Sequence, residues 1–301
     1  MKKVFISALL LCSGIYGYSQ LLSVTRNVKV SLPDGVTANT ATISPDGSYM
    51  VVSPNEKNGL FRLDLETSAV TTISETGTGF GLKISDDSKT VLFRESTIGK
   101  DRLRRTALKS ADMATGRVAT IVKPTRDLQG FAIKGATVMA MNKGKLTTKA
   151  LSGVATVAPV VSIDKGRMML TVNGETKVIA PQGVEGQSYL WPSISPDGTR
   201  IAYYLGRHGA YVCNIDGSNP VFLGSIRAPR WYNNDIVVGM NDKDNGQVVT
   251  SSKIVAAKAD GTMSQALTDD ASMAMYPTVS ADGSKISYST AYGEIHILEV
   301  K

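Results

Sequence analysis

The chain has 301 residues, 42% of them hydrophobic and only 6% aromatic, with a formal net charge of +7. Charged residues at 20% and 28 glycines suit a turn-rich all-β protein and argue against a helical or disordered one. No apolar run is long enough to cross a bilayer as a helix.

Residues 1–19 are expected to lie outside the fold. Met1-Lys2-Lys3 is a basic start and Val4–Leu11 an apolar stretch. Gly17 and Ser19 then put small residues ahead of a cleavage between Ser19 and Gln20. This reads as a secretory signal peptide followed by one domain over residues 20–301, in a periplasmic or secreted setting. Leu11 stands where a lipoprotein signal has a small residue, which argues against lipidation at Cys12. After cleavage, 33 basic residues less Lys2 and Lys3, against 26 acidic, leave +5. Cys213 becomes the sole cysteine, unable to form an internal disulfide, and reads as a small packed residue of an alternating strand.

Leu21–Leu32 alternates apolar and polar residues and predicts a strand ahead of the first repeat. Thr40–Ser44, Tyr49–Val52, Leu60–Leu65 and Ala69–Ile73 follow as four short strands, with turns at Asp46-Gly47, Asn58-Gly59 and Glu66-Thr67. A second unit, Leu82–Val122, carries the densest basic run, Lys100 to Arg105 with Lys109. The run reads as a solvated loop and strand face, the alternative being a patch for an acidic partner. It has no interleaved aromatics, so nucleic acid is not expected as a partner. From Leu128 to about Ala180 two units are compressed, and a fourth strand is hard to find despite the hairpin turn at Asn173-Gly174. Trp191–Leu223 and Pro229–Leu267 are further units, the latter with a polar insertion at Asn241–Gly246. The last, Thr278–Val300, supplies about three strands.

Trp191–Tyr204, WPSISPDGTRIAYY, sets the register of all these units. Ile194 between Ser193 and Ser195 has the alternation of a half-buried strand, and Ile201–Tyr204 suits an inner strand. Between them, Pro196 presets φ, Asp197 offers a side-chain acceptor, and Gly198 takes a positive φ. Aligned on Asp197, the other anchors are Asp46, Asp87, Lys134, Asp164, Asn234 and Asp282, spaced through the chain by 41, 47, 30, 33, 37 and 48 residues. Three residues before each anchor stands an apolar residue: Ile43, Ile84, Phe131, Val161, Ile194, Trp231 and Val279. Serine follows at Ser44, Ser85, Ser162, Ser195 and Ser280, and Pro159, Pro192, Pro229 and Pro277 share another slot. Such a period indicates a propeller, a solenoid or an array.

The SPDG turn with its apolar strand, and a segment such as Tyr211–Gly224 (YVCNIDGSNPVFLG), resemble the TolB-type, WD-like β-propeller repeat. The resemblance covers nearly all of residues 20–301, is strongest at Thr40–Ser74, Trp191–Gly224 and Tyr276–Val300, and extends to the propeller alone. The expected fold is therefore all-β, a single propeller of four-stranded blades. Seven blades with one truncated are expected, or six if the two compressed units merge. The N-terminal strand should complete the last blade and close the ring.

Candidate chemistry is sparse. The Asn241–Gly246 insertion places Lys243 where a calcium ligand is needed and Ser252 where a bidentate Glu belongs, so it reads as a solvated turn. His208 and His296 stand apart and assemble no zinc spacing, and no G-x-S-x-G elbow occurs. Dispersed acids such as Asp101, Glu95 and Glu185 could pair in space as glycosidase carboxylates. No metal, cofactor or catalytic residue is assigned. Tyr189, Trp191, Arg230, Tyr232 and Tyr276 precede or start the innermost strands and are the residue types enriched at binding hot spots. The competing reading of these residues is packing between blades, favoured for Trp231. The expected function is a monomeric, non-enzymatic binding platform for an envelope protein, and the resemblance implies a periplasmic setting with a lipoprotein or outer-membrane partner. The alternative is a propeller binding a glycan or small ligand at the mouth of its ring, with hydrolase or lyase activity at the central channel.

Overall fold

The computed structural model describes residues 20–56, 58–183 and 187–301. The expected signal peptide and Glu185 lie outside the described residues. The first strand is β1 (Val24–Val30). Blade 1 takes β2 (Ala38–Ile43), β3 (Tyr49–Pro54), β4 (Leu60–Asp64) and β5 (Val70–Ser74). Blade 2 takes β6 (Gly77–Ile84), β7 (Thr90–Ile98), β8 (Arg104–Asp112) and β9 (Val118–Thr125). Blade 3 has β10 (Leu128–Lys134), β11 (Thr137–Asn142) and β12 (Lys145–Ala150), and blade 4 has β13 (Val160–Asp164), β14 (Arg167–Val172) and β15 (Glu175–Ile179). Blade 5 is β16 (Tyr189–Ile194), β17 (Arg200–Leu205), β18 (Gly209–Asn214) and β19 (Val221–Gly224). Blade 6 is β20 (Arg227–Trp231), β21 (Ile236–Asp244), β22 (Val249–Lys258) and β23 (Ser264–Ala266). Blade 7 is β24 (Ala274–Val279), β25 (Lys285–Thr290) and β26 (Ile295–Val300), completed by β1.

Seven antiparallel sheets thus form a seven-bladed propeller. Both compressed repeats, not one, carry three strands. After β12 the chain runs through residues 151–159 without a strand, so their length is spent on reaching the next blade.

Each blade is packed between two neighbours, so the inner strands are buried on both faces and read as continuous apolar runs. β3 is buried from Tyr49 to Val52, and Val91, Leu92 and Phe93 of β7 are fully buried. Tyrosines at these sites keep their hydroxyls paired: Tyr49 donates to the Ser88 carbonyl of the next blade and Tyr203 to Gln182.

The recurring Ser and Asp form one clamp at the turn after the innermost strand. Ser44 donates to Asp46 at 2.6 Å while accepting from the Tyr49 amide, and Asp46 accepts from the Ser48 amide. Ser85–Asp87, Ser195–Asp197 and Ser280–Asp282 repeat these contacts. The clamps also tie blades together: the Asp46 amide donates to Ser88, the Asp197 amide to Asn234, and Lys285 Nζ to the Gly47 carbonyl.

Closure follows the expected route. β1 pairs antiparallel with β26 from Val24↔Val300 to Val30↔Ile295. Gln265 of β23 holds the preceding segment, accepting from the Leu21 and Leu22 amides and donating to the Leu22 carbonyl.

Candidate functional site

Innermost strands run from one end of the ring to the clamped turns at the other. The hairpins joining second to third strands share the end where innermost strands begin, here the hairpin face. Two hairpins stand out: β7 and β8 have nine residues each, and β21 and β22 have nine and ten. They belong to blades 2 and 6. The basic run forms the tip of the first, where Arg105 pairs with Asp101 at 2.6 Å while Lys100, Arg102 and Arg104 are exposed. Asn241–Gly246 lies in the second, and its Asp242 is buried against Arg227 at 2.6 Å.

At the hairpin face the innermost strands share a bulge. Six residues before the anchor, Gly81, Trp191, Ala228 and Tyr276 have φ of +68°, +48°, +49° and +52°, and the ladder slips at each. In three of these blades proline follows (Pro192, Pro229, Pro277), which needs no ladder partner for an N–H it lacks. Left-handed backbone is uncommon for large side chains, and a bulge redirects the side chain it carries. Gly81 serves a further purpose: a Cβ there would lie 2.5 Å from the Arg94 guanidinium.

The five predicted binding residues divide. Trp191 packs on Tyr204 with ring centroids 5.5 Å apart, and the Arg227 guanidinium lies 5.9 Å from its ring. Tyr276 of blade 7 lines a cavity of about 480 Å³ that it shares with blades 1 and 2, with Asn39, Asn55, Asn58, Thr78 and Phe80. Arg230 sits two residues deeper than the bulge of its strand. Tyr189 is 1% exposed, its hydroxyl accepting from the Gln182 amide and donating to the Gly183 carbonyl. Tyr232 points toward the turn end, donating to the Gly283 carbonyl. Burial raises both phenols above their ordinary pKa. Trp231 is a blade contact, its indole N–H donating to the Ser193 carbonyl.

Four residues before the anchor stand Thr42, Lys83, Gly130, Val160, Ser193, Arg230 and Thr278. Lys83 belongs to blade 2 and Arg230 to blade 6, which share no edge, yet the Arg230 charge acts on Lys83. Their shared slot puts the two at one level of facing blades around the central channel. Arg94 of β7 joins them from behind the bulge, its guanidinium 4.7 Å from the Phe131 ring centroid. Enclosure, then the charges of Arg230 and Arg94, push the Lys83 ammonium down to about 8. Enclosure also lowers both guanidiniums. None of the three has a carboxylate partner among the described residues. Sequence reading passed over Lys83 and Arg94; the shared slot of Lys83 and Arg230 in the aligned repeats was the available signal.

The other candidates are accounted for locally. Glu95 pairs with Lys109 and accepts from Thr76, and His296 stacks on Tyr288 between Asn27 and Glu294. Cys213 is buried, its thiol pushed up to about 12 by that burial. Among the described residues, no three His, Cys, Asp or Glu side chains gather as a metal site would need.

No family model matches the chain. A TolB homolog protein from Chlorobium luteolum is 28% identical over 111 residues, an overlap of 34% of this chain and 24% of that protein. The chain thus spans about a quarter of the length of that relative. The crystal structure of TolB from Acinetobacter baumannii superposes with a TM-score of 0.50 at 16% identity, covering 78% of this chain and 54% of that one. The fold is that of a TolB-type β-propeller. An oligogalacturonate lyase from Vibrio parahaemolyticus superposes equally, with a TM-score of 0.50 at 16% identity over 87% of this chain and 78% of that one. The TolB-type propeller is thus shared in shape with proteins of different occupation, and function must be argued from the site.

Proposed function

We propose that this chain is an exported, non-enzymatic binding platform that presents its hairpin face to an envelope protein. The observation that carries this reading is the set of large apolar side chains exposed on that face. Phe80 and Leu190 flank the bulges, and Ile98, Leu103, Val248 and Tyr292 stand at or beside the hairpin tips, with exposures from 37% to 76%. Apolar side chains gathered on one end of a domain, rimmed by Lys100, Arg102 and Arg104, form the kind of surface that proteins cover by association. Trp191, Tyr276 and Arg230 are its proposed anchors; Tyr189 is buried in the packing of blades 4 and 5 and Tyr232 reaches the Gly283 turn at the other end. The TolB resemblance points to an envelope setting and a lipoprotein partner, and the start of the sequence to export.

The test is capture from an envelope extract with residues 20–301, identification of the captured protein, and titration of that purified partner. Stoichiometric binding that Ile98→Asp with Tyr292→Asp abolishes, while the melting temperature holds, is the expected result. Unchanged binding by this variant would reject the hairpin face.

A second reading rests on the cavity shared by blades 1, 2 and 7. Asn39, Asn55 and Asn58 beside Phe80 and Tyr276 combine amides and aromatic rings as glycan sites do. Oligogalacturonate is the first probe for this reading. Formation of unsaturated product would make the protein a lyase and displace the platform.

A further inference from the structure

The channel cations are not explained by the fold. Lys83, Arg94 and Arg230 are each half-buried; positive groups brought together oppose one another, and a charge withdrawn from water is ordinarily paired or neutralised. Lys83 and Arg230 occupy the same level of two facing blades, while that level is otherwise filled by small or uncharged residues. Ser193, also at this level, has a buried hydroxyl with no partner among the described residues. Arg94 is held from two sides, by the Phe131 ring and by the Phe80 carbonyl at 3.5 Å, and Gly81 leaves it room, because any side chain there would displace it. A cradle built for a guanidinium next to two further cations serves a bound negative charge better than it serves packing.

We propose that the channel beneath the hairpin face is a binding site for a small anion bearing two or more carboxylate or phosphate groups, held by Lys83, Arg230 and Arg94. Such a ligand supplies the counter-charge that the described residues lack. Two guanidiniums offer forked donors to planar or tetrahedral oxyanions, and the Lys83 ammonium adds a point charge from the opposite wall. The depressed Lys83 pKa is consistent with this, because a bound anion would return the ammonium to its ordinary range. The site shares Arg230 with the proposed protein-binding surface, but anion binding is read on the purified protein without a partner and does not depend on that reading.

The experiment is thermal unfolding of residues 20–301 with inorganic phosphate, citrate or glucose, at constant ionic strength set by chloride. Phosphate, citrate or both should raise the melting temperature saturably, by about 5 °C at a hundredfold excess over Kd, while glucose leaves it unchanged. A rise with phosphate alone points to a phosphorylated ligand, and with citrate alone to a polycarboxylate. Lys83→Met with Arg230→Met should melt higher than the parent without ligand and lose the anion-dependent rise. Lys83→Arg, which keeps the charge, should retain it. Absence of a saturable rise in the parent with either anion overturns the proposal, as does a rise of the same size in the double variant. Protein capture at the hairpin face is read separately, so either proposal can fail alone.

Discussion

A ring sealed by its N-terminal segment should lose stability as a whole when that seal is weakened, and Leu22 and Gln265 allow the test at single residues. Leu22 is 5% exposed and belongs to the core cluster shared by blades 6 and 7, with Leu267, Tyr288 and Leu298. Truncating a buried leucine to alanine costs about 2–5 kcal/mol, and the lower end applies where the site borders solvent, as it does beside exposed Ser23. Gln265→Ala removes three hydrogen bonds to the Leu21 and Leu22 backbone, 2.7–3.0 Å long. Water can reach these partly exposed amides, so the net loss is about 1–2 kcal/mol in total. At roughly 2–4 °C per kcal/mol for a domain of this size, Leu22→Ala should lower the melting temperature by about 4–8 °C and Gln265→Ala by about 2–8 °C. The double variant should fall short of the sum, because both act on one seam. Deleting residues 20–32 is the extreme case, leaving the β26 edge uncovered. Calorimetry reads the transition, and amide exchange in blade 3, far from the seam, reads its reach. A single transition moved as a unit, with blade 3 amides losing protection together with those of blade 7, is expected. Leu22→Ala melting within about 1 °C of the parent, or an early local transition that spares blades 2–4, would refute the reasoning.

Three further perturbations follow. Below about pH 8, Lys83 is protonated whether folded or unfolded and its enclosure cost is fully present; between about 8 and 10.5 the folded state sheds the proton first, so stability rises with pH. The fall from 10.5 to about 8 corresponds to at most about 3 kcal/mol, less what channel water screens. Arg230 and Arg94 are the charges acting on it. Tyr189, Tyr203, Tyr232 and Tyr288, raised by burial, make stability fall again above about pH 10. Urea unfolding across pH 7–11 should show this maximum, and Lys83→Met should flatten its rising limb. Ser44→Ala removes a fully buried hydroxyl that both donates to Asp46 and accepts from the Tyr49 amide, and should cost about 1–3 kcal/mol in the same assay. For the Arg227–Asp242 pair the order matters: Arg227 is 39% exposed and Asp242 only 2%. Arg227→Ala, which strands a buried carboxylate, should therefore destabilise more than Asp242→Ala, and the reverse order would contradict the burial of Asp242.

What could be read from the sequence, and what could not, follows from how each feature is encoded. The clamp serine and the turn aspartate act within five residues of each other, so Ser44–Asp46 and its copies leave a local pattern that alignment recovers. The proline slot is equally local, and it marks a bulge. Tyr189 and Tyr232 went elsewhere than the mouth of the ring because position along a strand does not give side-chain direction. Tyr189 turns into the packing of blades 4 and 5, and Tyr232 crosses to the Gly283 turn. The cavity joins blades 1, 2 and 7, and the channel cations join blades 2 and 6. Those meetings exist only once the ring is closed, and no spacing between the residues records them.

Departures from the repeat are concentrated, and that concentration is itself an argument. The longest anchor spacings, 47 and 48 residues, follow Asp87 and Asn234 and so fall in blades 2 and 6. These blades carry the two extended hairpins and also the two cations of the shared channel level. A ring needs seven blades of similar radius but neither long hairpins nor uncompensated charge at its axis, and each of these works against stability. Local rules broken without a structural gain are the usual mark of a functional site. Blades 2 and 6 break two such rules each, on opposite sides of one channel and toward one face. The protein's work is therefore to be sought along the line joining them.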